Sequence, residues 1–175
     1  MLTNYAIADE VLTYLERIRF NCLFIAMGKN TPWPTESQPP EPDANAEDLN
    51  QPLGMVRVET LSPVYPTSDE EPDFRAGATP YKILHNPSPD RVVSYGAFKV
   101  YCAATVRHKD LTFNSFRELG LINVEHTLPG LDLEANRIFH PSQIINYNLE
   151  VYDTFPPIQV QPPAKQTVGL IRPFD

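Results

Sequence analysis

The side chains best suited to chemistry are the two cysteines, Cys22 and Cys102, and the histidine nearest to either of them, His108. A thiolate beside an imidazole base can act as a nucleophile. A Cys102–His108 pair, or Cys22 with a distant histidine, would therefore indicate a small cysteine-dependent hydrolase or transferase. Both cysteines, however, lie in the apolar runs NCLFIAM and KVYCAATV. Cysteines in such runs are typically inert, so the sequence favours two reduced core cysteines.

The remaining sequence holds no other pattern typical of a catalytic, metal or cofactor site. The four histidines are scattered singly, without the HxH, HxxxH or HExxH spacings of metal ligands. The glycine-rich phosphate-binding motifs and the GxSxG nucleophile motif do not occur. The acidic pair Glu70 and Glu71 lies in a proline-rich stretch, where solvent screens the carboxylates. We therefore expect no catalytic residue, no cofactor and no metal.

The sequence has a single tryptophan, Trp33, which stands between Pro32 and Pro34 in GKNTPWPTESQPPEPD. Tryptophan is a large apolar side chain with one donor, typical of cores and of protein interfaces. Flanking prolines stiffen the backbone, so docking Trp33 on another surface would cost little conformational entropy. Either Trp33 caps the core of its own chain or it docks on a neighbour, and the sequence favours docking.

Composition limits the classes of partner. The chain has 175 residues, a net charge of -8 and 19 prolines, about twice the usual proline content. The acidic balance argues against binding to nucleic acid and to an anionic membrane surface. The longest apolar run near the start, CLFIAM, is far too short to cross a bilayer. We expect a soluble chain of cytoplasmic origin that folds as a single domain over residues 1–175.

The elements that would position these residues begin with a helix and a strand. In TNYAIADEVLTYLERI the apolar residues recur at spacings of three and four, after Thr3 or Asn4 as possible caps. FNCLFIAMG follows as a continuous apolar run, which indicates a strand covered on both faces. GMVRVETL alternates and predicts one short strand. Residues 29–53 and 62–80 are rich in proline and predict two extended arms or loops.

The second half favours strands. β-Branched and aromatic residues fill YKILHN, DRVVSYGAFKVYCAATVR, INVEHT, IINYNLEVYD, PIQVQ and QTVGLIRPF, with turn residues between most of them. LTFNSFRELGL is interpreted as a short helix or turn, because Phe113, Phe116 and Leu119 have helical spacing before Gly120. The predicted fold class is mainly β, α+β: an antiparallel β-sandwich-like domain with an N-terminal helix and long proline-rich loops.

Three phrases carry a resemblance to a known family. FIAMGKNTPWPTESQPPEPD resembles a phrase near the start of baseplate wedge proteins of contractile-tailed bacteriophages. LTFNSFRELGL resembles the Phe-Arg-Glu-x-Gly-Leu element of that family, and the ending NYNLEVYD followed by KQTVGLIRPF is similar to the way these proteins finish. The matching positions are Gly28, Trp33, Pro34, Glu36, Pro39, Pro40, Phe116, Arg117, Glu118, Gly120 and Leu121.

The resemblance implies a virion structural protein without catalysis. It would assemble in the host cytoplasm, in a ring or wedge around the tail tube, with copies of itself and with other tail, baseplate or neck proteins. A neck or head-to-tail connector and a fibre-attachment adaptor remain alternatives. If Arg117 and Glu118 pair within the fold or between subunits, Arg117→Ala is expected to weaken the fold or the assembly more than Arg91→Ala. The interaction residues predicted from the sequence are Pro32, Trp33, Pro34, Pro39, Pro40, Arg117 and Glu118.

Overall fold

The computed structural model describes residues 3–20, 22–124, 137–144, 146–162 and 165–174. These residues form two five-stranded antiparallel sheets, which an N-terminal helix flanks. The strands are β1 Leu23–Gly28, β2 Pro52–Arg57, β3 Thr60–Pro66, β4 Phe74–Ala76, β5 Thr79–Ile83, β6 Lys99–Arg107, β7 Ser115–Val124, β8 Ile138–Phe139, β9 Tyr147–Gln159 and β10 Lys165–Pro173. The helices are α1 Asn4–Leu15 and α2 Pro89–Tyr95, with 3-10 turns at Glu16–Phe20, His108–Asp110 and Pro141–Gln143.

The sheet order confirms the predicted β-sandwich-like fold. The first sheet runs β8-β2-β1-β7-β9 and the second runs β10-β6-β3-β5-β4. A large apolar cluster lies between the sheets and includes residues of β1, β6, β7 and β10 together with α1 and α2. A second, smaller cluster lies on the other face of the first sheet. The first sheet is therefore apolar on both of its faces.

Helix α1 forms where the apolar periodicity predicts it. Thr3 is the N-cap, and its hydroxyl accepts a hydrogen bond from the Ala6 amide at 3.2 Å. This bond satisfies one of the amides that a helix start leaves without an intrahelical partner. Ala8, Val11 and Tyr14 form the buried face that packs on the sandwich core.

Strand β1 is the central strand of the first sheet and is buried along its whole length. It pairs with β2 on one side and with β7 on the other. Ile25 and Met27 enter the cluster between the sheets, whereas Phe24 and Ala26 enter the cluster on the opposite face. The prediction of a strand covered on both faces is confirmed, because only such a position buries a run without polar residues.

The prediction of one strand over GMVRVETL is wrong, because these residues belong to two strands. β2 pairs with β1 in the first sheet, and β3 pairs with β6 in the second. Between them the Val58 amide donates to the Leu23 carbonyl at 2.9 Å. The chain therefore crosses from one sheet to the other within two residues, which joins the layers covalently at this corner.

The strand predicted over residues 90–107 begins too early. Residues Pro89–Tyr95 form α2, capped by Ser88, and Gly96 ends the helix in the left-handed region at φ 61°. A serine cap, a proline in the first turn and a closing glycine are helix boundary signals. In this segment they outweigh the β-branched content, and β6 starts only at Lys99.

The loop predicted over residues 62–80 is also wrong for about half of its length. Its residues contribute to β3, β4 and β5, which are neighbours in the second sheet. A proline removes only its own amide donor from a strand, while its carbonyl still accepts. The Pro63 carbonyl accepts from the Leu84 amide at 2.8 Å, so proline content alone did not exclude pairing.

LTFNSFRELGL is not a short helix or turn, because its second half lies in β7, between β1 and β9 in the first sheet. Phe116, Leu119 and Leu121 are buried in the cluster between the sheets, and long-range pairing overrides their helical spacing. The predicted strand over residues 122–127 is described only as far as Val124, where β7 ends, and its remainder lies outside the described residues.

The segments IINYNLEVYD and PIQVQ form parts of one long strand, β9, and not two strands separated by TFP. β9 is the edge strand of the first sheet, and its register with β7 shifts between Phe116 and Glu118, opposite Pro156 and Pro157. Edge positions and bulges are where a sheet accepts proline. QTVGLIRPF forms β10, as the sequence predicts.

A half-buried carboxylate joins the N-terminal helix to the last two strands. Glu150 of β9 accepts hydrogen bonds from the Tyr14 hydroxyl at 2.6 Å and from Arg17 at 3.0 Å. Arg172 of β10 lies 3.0 Å from the same carboxylate and places its guanidinium 4.3 Å from the centre of the Tyr14 ring. The Glu150 side chain is only 11% exposed, whereas those of Arg172 and Arg17 are 27% and 39% exposed, so the carboxylate is better shielded from water than its two cationic partners.

We predict that Glu150→Gln lowers the free energy of unfolding by about 2 kcal/mol, because two guanidinium groups lose a charged acceptor. The matched control is Glu16→Gln, which removes the exposed pair with Arg19 and should cost less than about 0.5 kcal/mol. Urea unfolding followed by far-ultraviolet circular dichroism measures both. Equal losses in the two variants would contradict the structural role given to Glu150.

Candidate functional site: the anchored proline loop

Residues 29–51, here called the proline loop, lie outside helices and strands between β1 and β2. The two ends of the loop meet, because the Lys29 amide donates to the Gln51 carbonyl at 2.8 Å. Most of the loop is exposed, but Trp33 and Leu49 are buried. The predicted arm over 29–53 therefore includes the first residues of β2, and its course is decided by a few buried anchors.

The first anchor is Trp33, whose side chain is only 7% exposed. Its indole nitrogen donates to the Phe155 carbonyl of β9 at 3.1 Å, and the Lys29 ammonium lies 4.6 Å from the centre of the ring. The expectation that the indole docks on a neighbour is corrected here, because the ring is packed on its own chain. Burial with a satisfied donor is the alternative that the sequence left open.

The second anchor is the ion pair between Arg117 of β7 and Glu36. Arg117 is 7% exposed, and its guanidinium holds both carboxylate oxygens of Glu36 at 2.7 to 3.0 Å. A further guanidinium nitrogen donates to the Asn30 carbonyl at 2.8 Å. These hydrogen bonds from Arg117 hold the pKa of the Glu36 carboxyl below its usual value. Forked pairing of this kind fixes direction as well as distance, so it sets where the loop crosses β7.

The third anchor is Glu118, which is fully buried beneath the C-terminal end of the loop. One oxygen of its carboxylate accepts from the Asn50 side chain at 2.5 Å and from the Tyr152 hydroxyl at 2.7 Å. Burial, followed by the neighbouring carboxylate, raises the pKa of Tyr152. The other oxygen of Glu118 finds no hydrogen-bond partner among the described residues. It lies close to Gly28, where an added Cβ would approach it to 2.7 Å.

Arg117 and Glu118 do not pair with each other, so that expectation is corrected. Phe116 and Leu119 both enter the cluster between the sheets, which means that the in-and-out alternation of β7 is broken between them. Both intervening side chains consequently face the proline loop. Each finds its partner there, Arg117 in Glu36 and Glu118 in Asn50.

Leu49 is the apolar anchor of the loop. It is buried in the cluster on the outer face of the first sheet, beside Phe24 and Ile122. Gly120 of β7 makes room for it, since a Cβ at that position would lie 2.5 Å from a Leu49 methyl carbon. The glycine that resembled a helix stop in the sequence is therefore required by close packing.

The exposed part of the loop carries the predicted proline residues. Pro32, Pro34 and Pro40 are exposed and Pro39 is half-buried, and the Pro40 carbonyl accepts from the Thr154 hydroxyl of β9. The four prolines lie on the surface of a segment whose ends and middle are held by the anchors. Because these contacts hold the backbone, the exposed surface would lose little conformational entropy on docking.

Sequence reasoning did not identify three loop residues that make the anchoring contacts: Glu36, Leu49 and Asn50. Glu36 entered only as a position of the resembling phrase, and no local pattern links it to Arg117, 81 residues away. Leu49 is an isolated apolar residue in a polar stretch, which is the one signal that a loop returns to a core. Asn50 carried no signal, because its role depends on the placement of Glu118.

The surroundings of Cys22 and Cys102 do not favour a nucleophilic role for either thiol. Cys102 is buried in the cluster between the sheets, and burial raises the pKa of its thiol to about 12. His108 begins a 3-10 turn six residues further on, about 20 Å away along an extended strand. Cys22 is half-buried, burial raises the pKa of its thiol, and both cysteines are free. A thiol held protonated in a core is a poor nucleophile.

The described part of the chain offers neither a metal site nor a membrane-spanning helix. No group of three or more histidine, cysteine or acidic side chains stands close enough there to hold a metal ion. Among the helices described, none has the length and apolar character needed to cross a bilayer. The proline loop and its anchors are therefore the feature on which a functional interpretation can be built.

We predict that Arg117→Ala lowers the free energy of unfolding by about 2 to 4 kcal/mol, because Glu36 and the Asn30 carbonyl lose a buried cationic partner. Arg91→Ala is the control, since this exposed side chain of α2 makes one hydrogen bond, to the Asn86 carbonyl. The control should stay within about 0.5 kcal/mol of the parent chain. Urea unfolding compares the two, and equal losses would remove Arg117 as an anchor.

Comparison with known proteins places these features in a family. Residues 16–174 match the model of a family described as "Baseplate wedge 3 tail fiber network component". "Virion protein 3" of Enterococcus phage phiEF24C is a relative, 28% identical over 103 residues. That similarity covers 57% of this chain and 55% of the relative, so the chain spans about half the length of the curated protein it matches.

Proposed function

The chain belongs to the baseplate wedge 3 tail fiber network component family, and we propose that it is a non-enzymatic subunit whose proline loop docks on neighbouring tail proteins. Membership makes it a structural protein of the phage tail and virion. The finer role is supported by the anchored proline loop. In this role the chain assembles in the host cytoplasm, with copies of itself and other tail proteins, around the tail tube.

The observation that carries the docking role is the contrast within the loop between buried anchors and exposed prolines. Trp33, Glu36 and Leu49 hold the loop to the first sheet. Pro32, Pro34 and Pro40 remain at the surface. A surface whose conformation is already fixed keeps more of its contact free energy on binding than a free arm does. Proline rings also offer apolar contact area without amide donors that need new partners.

The predicted interaction residues divide into two groups under this proposal. Pro32, Pro34, Pro39 and Pro40 contact the neighbour. Trp33, Arg117 and Glu118 act indirectly, because their side chains face the interior of their own chain and hold the loop in place. Loss of an indirect residue would weaken docking by releasing the loop, whereas loss of a proline would remove contact area.

A fibre-attachment adaptor is the second candidate role, and it is supported by the family description, which names the tail fibre network beside the baseplate wedge. Both roles use a docked, non-catalytic subunit, and they differ in the protein that the loop contacts. The same description favours both over the neck connector, because it places the family at the baseplate end of the tail.

We predict that a photo-crosslinking amino acid at Gln38, an exposed residue beside Pro39, joins this chain to another tail protein in intact particles. Lys109, exposed on the 3-10 turn that follows β6, gives the control position. Mass spectrometry of the joined peptides identifies the neighbour and so separates the wedge role from the adaptor role. Cross-links at position 38 no more frequent than at position 109 would count against docking through the loop.

A further inference from the structure

The two halves of the proline loop are held to the first sheet in different ways. Residues 29–40, here called the anchored half, contain the buried Trp33 and the Glu36 carboxylate, both oxygens of which accept from one guanidinium. Residues 41–50, here called the flap, are all described and include one buried residue, Leu49. The flap therefore depends on a single apolar side chain, whereas the anchored half has a buried ring and a forked ion pair.

Leu49 lies in a notch that two glycines of the first sheet leave open. A Cβ on Gly28 of β1 would lie 2.6 Å from one methyl carbon of Leu49, and a Cβ on Gly120 of β7 would lie 2.5 Å from the other. Leu149 of β9 borders the notch, because the same Cβ on Gly120 would come within 2.7 Å of its side chain. Leu49 belongs to no strand, so it can leave this notch without breaking a bond between strands.

Closure of the flap has a cost at Glu118. Its side chain is fully buried, and one carboxylate oxygen has no hydrogen-bond partner among the described residues. That oxygen and a methyl carbon of Leu49 both lie within 2.7 Å of the place a Cβ on Gly28 would take, so withdrawal of the leucine admits water to it. The other oxygen is bonded to Tyr152 of β9 as well as to Asn50, so opening removes one partner of two. Hydration on opening offsets the cost of the unpaired oxygen.

The flap also carries an unbalanced negative charge. No lysine, arginine or histidine occurs from residue 30 to residue 56. The carboxylates of the flap form no ion pair with any described residue: Glu41, Asp43, Glu47 and Asp48. Burial, the Glu118 carboxylate and the Asp43 carboxylate together raise the pKa of Tyr152, so Asp43 and Glu118 act on the same hydroxyl. The closed state holds like charges near one another, and their repulsion favours opening.

The middle of the flap is not packed on the sheet. A cleft of about 310 Å³, lined on one side by Pro42, Ala44 and Ala46, lies between the flap and β9. Near its end the flap bonds to β9 through Asp48, which accepts from the Tyr147 hydroxyl at 2.7 Å in an exposed position. Water replaces an exposed hydrogen bond at little cost, so this contact adds little to closure.

We propose that the flap opens and closes on the first sheet as a unit, with Leu49 as its plug, while the anchored half stays fixed. The charge of the flap and the unpaired oxygen of Glu118 keep the closed state only marginally favoured. Segments with few buried contacts are the ones that open locally in a native protein. Opening uncovers the glycine notch, so the loop has two alternative surfaces. The inference concerns a movement within the loop and goes beyond the docking role proposed above.

The test is limited proteolysis of the isolated full chain with a glutamyl endopeptidase, which cleaves after glutamate. Glu36 lies in the anchored half and Glu47 in the flap, so one enzyme reports on both. Mass spectrometry gives the initial rates at the two sites. Each rate is divided by the rate in a free peptide of residues 31–54 with the same substitutions, which corrects for local sequence. No phage particle is involved, so failure here leaves the cross-linking test of docking unaffected.

Cleavage after Glu47 in the parent chain is expected to be at least about tenfold faster than cleavage after Glu36, because cleavage follows the population of the open form. Leu49→Ala should raise the rate after Glu47 about tenfold further, and should leave the rate after Glu36 and the emission of Trp33 unchanged. Leu84→Ala is the control. Leu84 is buried to nearly the same degree, in the cluster between the sheets, and its loss should not change the ratio of the two rates.

Removal of charge from the flap should act in the opposite direction. Glu41→Gln combined with Asp43→Asn is expected to slow cleavage after Glu47 about threefold, because the closed state then holds less repulsion. Asp9→Asn combined with Glu10→Gln removes the same charge from exposed positions on α1. This control should leave the rate unchanged.

Two results would overturn the inference. The first is a pair of equal corrected rates after Glu36 and Glu47, or a Leu49→Ala effect that is the same at both sites, because the loop would then move as one unit. The second is a rate after Glu47 that does not fall when the flap charges are removed, which would contradict the role given to the carboxylates.

Discussion

The first sheet is apolar on both faces, and this constraint explains the arrangement of the rest of the chain. One face packs on the second sheet, while the other exposes Phe24, Met55 and Ile122 unless something covers it. Leaving such a patch in water would cost about 1.5 to 3 kcal/mol for each large side chain. Leu49 of the proline loop and Ile144 belong to the cluster that covers this face. The loop is consequently part of the fold before it can be part of any interface.

A loop that covers an apolar face brings a second requirement, because its backbone and polar side chains need hydrogen-bond partners there. Arg117 and Glu118 meet it from below by offering a cation to Glu36 and an acceptor to Asn50. Buried charges of this kind contribute specificity of placement more than net stability. The result is a proline-rich segment held to the first sheet through Trp33, Glu36 and Leu49, with most of its prolines exposed.

The sequence predicted the elements whose formation is decided by nearby residues, through helix caps, apolar periodicity and apolar runs. The cap and periodicity of α1, the apolar run of β1 and the final strand β10 were all recognised from the sequence. β7 was missed, because the helical spacing of Phe113, Phe116 and Leu119 is a coincidence that only pairing with β1 and β9 overrules. The strands within 62–80 were not predicted from the sequence, because a high proline content does not show which prolines keep an accepting carbonyl in a sheet. At the site, the sequence identified Trp33, Arg117 and Glu118 but not their partners, which lie far along the chain.

If the proline loop is fixed to its own chain before assembly, the single tryptophan reports on it directly. Acrylamide quenching and the emission maximum of Trp33 are measured on the isolated chain, folded and in urea. We expect a blue-shifted maximum and strong protection from acrylamide in the folded chain, because the indole is buried and donates to the Phe155 carbonyl. Emission and quenching equal to those of the unfolded chain would show a free arm and would contradict it.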